Sequence, residues 1–118
     1  MNHRFELLLS LLSCCALAAI VTVAANRTAT AGAKAPVTHT VTIENMQFSP
    51  AQLTVHVGDR IVFSNKDLFP HTATADDKSF DSGSIAPNGH WTYRASKAGQ
   101  HAYKCTFHTV MLGSITVQ

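Results

Sequence analysis

The stretch Cys105-Thr106-Phe107-His108-Thr109-Val110-Met111 holds a thiol, an imidazole and a thioether at Cys-x-x-His-x-x-Met spacing. Upstream, Leu68-Phe69-Pro70-His71 supplies a second imidazole directly after a proline. Proline fixes its own φ and restricts the residue before it, so His71 leaves a stiffened backbone. The downstream donors fall between the last two predicted strands, where a short loop turns the chain back and lets its side chains converge. One thiolate, two imidazoles and one thioether suit a metal ion that changes oxidation state. Sulfur donors favour Cu(I), and imidazole accepts both Cu(I) and Cu(II). Two His and one Cys in a plane with a weak axial Met is the donor set of copper sites that pass single electrons. Zinc more commonly recruits another Cys, His or carboxylate than a Met. Taken singly each residue has a plainer role, since a lone Cys is usually a small core hydrophobe. The coincidence of all four carries the inference.

The elements that must position these residues have period two. Val37, His39, Val41 and Ile43 alternate with Thr38, Thr40, Thr42 and Glu44, and Leu53, Val55 and Val57 alternate with Thr54 and His56. Further strands are predicted over 60–64, 72–75, 90–95, 101–105 and 114–117, with turns at Gly58-Asp59, Pro87-Asn88-Gly89 and Lys97 to Gln100. No segment supports a helix of useful length. About seven short strands at this spacing predict an all-β fold, a Greek-key β-sandwich. So small a core is marginal without a staple, and a bound metal would serve.

The chain has 118 residues, 46% of them hydrophobic and 14% charged, with a formal net charge of +2. One ordinary domain fits that length. No Lys/Arg run exists, so no nucleic-acid partner is expected. Leu7 to Ala25 carries no charge, and small residues follow. That pattern predicts a signal peptide cleaved after Ala25 or Ala31, or a retained N-terminal anchor, since ~20 apolar residues span a bilayer. Residues 1–31 are thus a leader, 32–36 a linker and 37–118 the domain, exported to the periplasm or tethered facing it. Cys14 and Cys15 lie in the leader, so the exported part keeps Cys105 alone. A lone thiol in an oxidising compartment must be buried, catalytic or metal-bound.

From Val41 to Gln118 the chain resembles the cupredoxins, the type 1 blue copper proteins, and its short ligand loop is most similar to those of the amicyanin/plastocyanin-like members. Met46-Gln47-Phe48-Ser49-Pro50 before a strand, Val57-Gly58-Asp59 at its end, Pro70-His71 and the Cys105 loop carry the likeness. It implies one copper ion at one end of the sandwich, bound by His71, Cys105, His108 and Met111. It also implies that Asn65 ties the two ligand loops together by hydrogen bonds, and that electrons leave by the edge of His108. Pro70, Thr106 and Phe107 adjoin these ligands. Amicyanin-type loops carry proline at the places of Phe107 and Thr109, so this loop is expected to be less rigid. The Phe107 N–H is then free to donate to the Cys105 sulfur.

Other residues have plainer expectations. His39, His56, His90 and His101 are read as surface or half-buried strand histidines, and Met46 as core. Trp91 and Tyr93 should share a core face. Asp76, Asp77 and Asp81 lack calcium-loop spacing and are read as solvated. Phe69, Phe107 and Val110 around His108 form either a lid over the metal or an apolar docking patch for redox protein partners. The leading function is a one-electron carrier: a monomer, not an enzyme, with no organic substrate. The alternative is a copper-binding module for delivery or buffering. A thiol enzyme using Cys105 and His108 would leave His71 and Met111 without a role.

Overall fold

The computed structural model describes residues 32–118. The leader, its cleavage sites, Cys14 and Cys15 lie outside the described residues. Eight strands follow in order: β1 Thr38–Glu44, β2 Gln47–Ser49, β3 Gln52–Val55, β4 Arg60–Asn65, β5 Thr74–Ala75, β6 His90–Arg94, β7 Gly99–Lys104 and β8 Leu112–Val117. They form two four-stranded sheets, ordered β2-β1-β4-β6 and β3-β8-β7-β5. The pairs β1–β4 and β3–β8 are parallel, and the remaining pairs are antiparallel. The architecture is the expected all-β sandwich. Among the described residues no helix is long and apolar enough to cross a membrane.

One strand lies where the pattern predicts none. β2 has three residues, too few to show a period, and it forms because the Asn45-Met46 turn folds it back on β1 with Glu44 opposite Gln47. Its Phe48 enters the core, whereas Met46, expected in the core, is exposed at the tip of that turn. Trp91 and Tyr93 stack at 8° on one face of β6, as expected.

The inward faces of the strands aim the donor residues. On β7, His101 and Tyr103 are buried while Gln100 and Ala102 are exposed, and Cys105 continues the buried series one step beyond the strand. On β8, Ile115 and Val117 face inward, and Met111 continues that series in the other direction. β7 and β8 are held in register by Tyr103 opposite Gly113. A Cβ on Gly113 would lie 2.3 Å from the Tyr103 ring, so the absence of a side chain there lets the ring lie flat across the pair. Tyr103 in turn packs edge-on against Phe48 and Phe63.

Of the four histidines read as surface or half-buried, His56 and His90 are exposed and His39 is half-buried, as expected, whereas His101 is not. His101 is buried, with Nδ1 2.6 Å from Asp77 and Nε2 2.8 Å from the Lys97 carbonyl. His39 Nε2 lies 2.9 Å from Asp59, a buried carboxylate that also accepts the amides of Val37 and His56. Those amides, the Val37 one foremost, hold the Asp59 carboxyl well below the ordinary range, with His39 adding to the effect. Asp77 is likewise held low, by the Ser79 hydroxyl and amide and then by His101. Asp76, Asp77 and Asp81 are exposed, as expected, and Asp77 is hydrogen-bonded as well. Asp76 also has a partner, Lys104 at 2.9 Å, and Asp81 accepts the Thr74 hydroxyl and the Gly83 amide.

Candidate metal centre

The loop leaving β7 is closed by its own backbone. The Cys105 amide donates to the Met111 carbonyl at 3.1 Å, and the Met111 amide to the His108 carbonyl at 2.9 Å. His71 comes from the β4–β5 connection, where it exchanges both backbone hydrogen bonds with Ile85, at 3.1 and 2.7 Å. The two connections meet at the end of the sandwich. His71 Nδ1 lies 3.8 Å from Cys105 Sγ and His108 Nδ1 lies 3.9 Å from it, and the two rings are 5.1 Å apart between centroids. The three donor atoms all lie within 4.8 Å of one another.

These separations suit one shared ion better than hydrogen bonds. Bonds of ~2.3 Å to a thiolate and ~2.0–2.1 Å to an imidazole, opened to a trigonal angle, set sulfur and nitrogen ~3.8 Å apart. His71 and Cys105 are 0% exposed and Met111 2%, while His108 is half-buried. Phe69, Phe107, Val110, Leu68 and Leu112 stand exposed at this end. Of the two readings of the flanking residues, exposure fits an apolar surface better than a closed lid.

Asn65 does not do what the family likeness implies. Its side-chain amide donates to the carbonyls of Phe69 at 2.8 Å and Ile85 at 3.0 Å, and its oxygen accepts the Asp67 amide at 2.9 Å. All three bonds stay on the His71 side, within the β4–β5 connection and on Ile85, the backbone partner of His71. The link between the ligand loops is made by Thr72. Its hydroxyl accepts the Thr106 amide at 2.8 Å and lies 3.1 Å from the Thr106 hydroxyl. The Thr72 amide also donates to Cys105 Sγ at 3.4 Å. No bond from Phe107 N–H to that sulfur occurs among the described residues, so the expectation for Phe107 is replaced by Thr72. Pro70 is exposed in the His71 connection.

Asp67 is the other residue the sequence did not single out. Its Oδ2 lies 2.9 Å from His71 Nε2, the ring nitrogen facing away from Cys105. Burial opposes ionisation of Asp67, but the amides of Met46 and Asn45 and the His71 ring outweigh it and leave the carboxyl below its ordinary value. No spacing rule marks an aspartate in Lys66-Asp67-Leu68-Phe69-Pro70-His71. Thr72 had one weak signal, its place directly after a candidate ligand.

A family model described as a cupredoxin-like domain matches residues 13–117. The chain belongs to the cupredoxin family. Cupredoxins bind copper, and His71, Cys105, His108 and Met111 form a possible copper site here. A chloroplastic plastocyanin from Tetradesmus obliquus is 31% identical over 84 residues, 60% of this chain and 58% of that protein. Among solved structures, the reduced state of an amicyanin mutant superposes with a TM-score of 0.63 at 25% identity, covering 74% of this chain and 86% of its own. A copper-containing nitrite reductase from Thermus scotoductus gives a TM-score of 0.63 at 27% identity, covering 70% of this chain. This cupredoxin spans only 58% of the plastocyanin's length and 22% of the nitrite reductase's.

Proposed function

We propose that residues 37–118 form a one-electron carrier whose His71, Cys105, His108 and Met111 hold a single copper ion. The observation that carries this is the approach of His71 Nδ1 and His108 Nδ1 to Cys105 Sγ at 3.8 and 3.9 Å, the spacing one shared ion would set. Bound copper supplies a Cu(I)/Cu(II) couple. The chain's residues supply the rest. Thr72 N–H donates to the thiolate, and the buried His71, Cys105 and Met111 keep water from the donors. A pre-formed, dry site of mixed hard and soft donors suits both oxidation states and limits rearrangement between them.

His108 is the least buried of the four and is the route by which electrons pass to a partner protein. The exposed Leu68, Phe69, Phe107, Val110 and Leu112 offer apolar surface for brief docking of redox proteins. Burial of three of the four ligands favours a carrier over a copper-delivery module, which needs ready exchange of the metal. The chain works alone as a monomer, without organic substrate or bond-making chemistry. Its leader exports it to the periplasm or tethers it there.

The visible spectrum of the Cu(II)-loaded protein tests this reading. A thiolate bound to Cu(II) in a near-trigonal site gives intense charge-transfer absorption, and Cys105→Ser should abolish it. A colourless copper adduct of the wild type, or a band that survives Cys105→Ser, would overturn the assignment.

A further inference from the structure

The β1–β2 hairpin turns through Asn45 and Met46, at φ 54° and 59°. Left-handed backbone at both central positions matches the twist of a two-residue hairpin, and glycine usually occupies at least one of them. A methionine there is strained, because its Cβ crowds the following carbonyl. Such strain persists only where surrounding contacts enforce it. Here the enforcing group is a carboxylate. Asp67 accepts the Asn45 amide on Oδ1 at 2.7 Å and the Met46 amide on Oδ2 at 3.0 Å.

The same Oδ2 lies 2.9 Å from His71 Nε2, and the Asp67 amide donates to Asn65 Oδ1 at 2.9 Å. An ionised carboxylate only accepts hydrogen bonds. In the neutral ring the proton between Asp67 and His71 therefore sits on Nε2, which leaves Nδ1 its lone pair. That lone pair is on the side of the ring facing Cys105 Sγ. His71 is fully buried, so water offers its ring no competing partner.

We propose that Asp67, clamped by the strained Asn45–Met46 turn, is the positioning residue that fixes His71 in the tautomer presenting Nδ1 to the metal. A surface hairpin thus sets the state of a buried ligand. The proposal rests on the copper reading for what Nδ1 binds, but not for the tautomer itself. The carboxylate also makes the imidazole a stronger donor, which favours Cu(II) over Cu(I).

Nitrogen NMR of the metal-free full chain reads which ring nitrogen of His71 carries the proton. The wild type should show Nε2–H. Asp67→Asn replaces one accepting oxygen with an NH2 group, so the two turn amides and Nε2–H cannot all be satisfied. The Nε2–H population should fall, and further in Asp67→Ala. If Asp67→Ala fails to fold, the near-isosteric Asp67→Asn carries the test. Copper competition assays give the second measurement. Loss of an outer hydrogen-bond partner costs ~10- to 100-fold in metal affinity. The loss should be greater for Cu(II), and a tenfold difference between oxidation states raises the potential by ~59 mV. A purely structural role would move neither the tautomer nor the ratio of affinities. A wild-type His71 protonated on Nδ1 overturns the proposal, as does an Asp67→Asn chain with unchanged tautomer and unchanged Cu(II)-to-Cu(I) affinity ratio. A tautomer shift in a chain without copper affinity upholds the positioning role and sinks the copper reading alone.

Discussion

Thr72 joins the two ligand connections through one hydroxyl, so Thr72→Val isolates what that join contributes. The substitution keeps the branched shape and the amide that faces Cys105 Sγ, and removes only the oxygen. That oxygen accepts the Thr106 amide at 2.8 Å, receives the Thr74 hydroxyl at 3.0 Å and lies 3.1 Å from the Thr106 hydroxyl. A net hydrogen bond is worth ~0.5–1.5 kcal/mol, and a donor stranded away from water costs ~1–3 kcal/mol. Thr106 is exposed and the Thr74 hydroxyl has a second partner in Asp81, so solvent and Asp81 recover part of the loss. A net destabilisation of ~1–2 kcal/mol is expected. For a domain the size of Ala33–Gln118, each kcal/mol moves the melting temperature by ~4–8 °C, so calorimetry of the metal-free protein should show a fall of roughly 5–15 °C. The copper-loaded variant should keep its charge-transfer band, because the amide-to-sulfur bond survives, but bind copper more weakly. An unchanged melting temperature with unchanged copper affinity would refute the view that this hydroxyl ties the loops together.

Gly113→Ala places a methyl group 2.3 Å from the buried Tyr103 ring and should cost ~1–3 kcal/mol by overpacking, read as a lowered urea midpoint. In a Tyr103→Leu background the same change should cost far less, since the ring it strikes is gone. Among the described residues the buried Tyr103 hydroxyl has no partner, so Tyr103→Phe should stabilise the domain by ~1 kcal/mol in the same assay. Asp59 and Asp77 are held below the ordinary carboxyl range, so the unfolded chain binds protons at a pH where the native chain does not. Their stabilisation is complete above the unfolded carboxyl value, ~4, and is lost as pH falls from there towards their native values. Urea midpoints measured against pH should fall in that acid window, with a shallower fall in Asp59→Asn. Copper at a hundredfold its dissociation constant should add ~2.7 kcal/mol of apparent stability, removable by chelator and absent in Cys105→Ser.

The strand pattern and the donor set were legible in the sequence because both depend on short-range spacing. Alternation along 38–44 and 60–65 follows from the two-residue period of a strand, and it already fixes which face Ile61, Phe63 and Asn65 present. The same alternation sends Cys105 and Met111 inward as continuations of β7 and β8. Cys-x-x-His-x-x-Met was readable because a tight loop brings donors that close in sequence close in space. β2 escaped because three residues carry no period, and Met46 was misplaced because a left-handed turn, not its apolar side chain, decides its position.

What joins distant segments had to come from the tertiary structure. Thr72 meets Thr106, and Asp67 meets the Asn45–Met46 turn, through hydrogen bonds between connections that only the packed sheets bring together, and the carboxylate held by that turn reaches His71 within its own connection. Asn65 shows the same limit from the other side. Its identity and place before His71 suggested a bridge between the ligand loops, but its direction at the end of β4 ties it to Phe69 and to Ile85, the backbone partner of His71, and not to the Cys105 loop. Residue type and spacing determine which atoms can bind a metal. Which polar groups hold those atoms depends on bonds a few ångströms long and sharply angle-dependent, made between segments separated by tens of residues, and no local pattern encodes them.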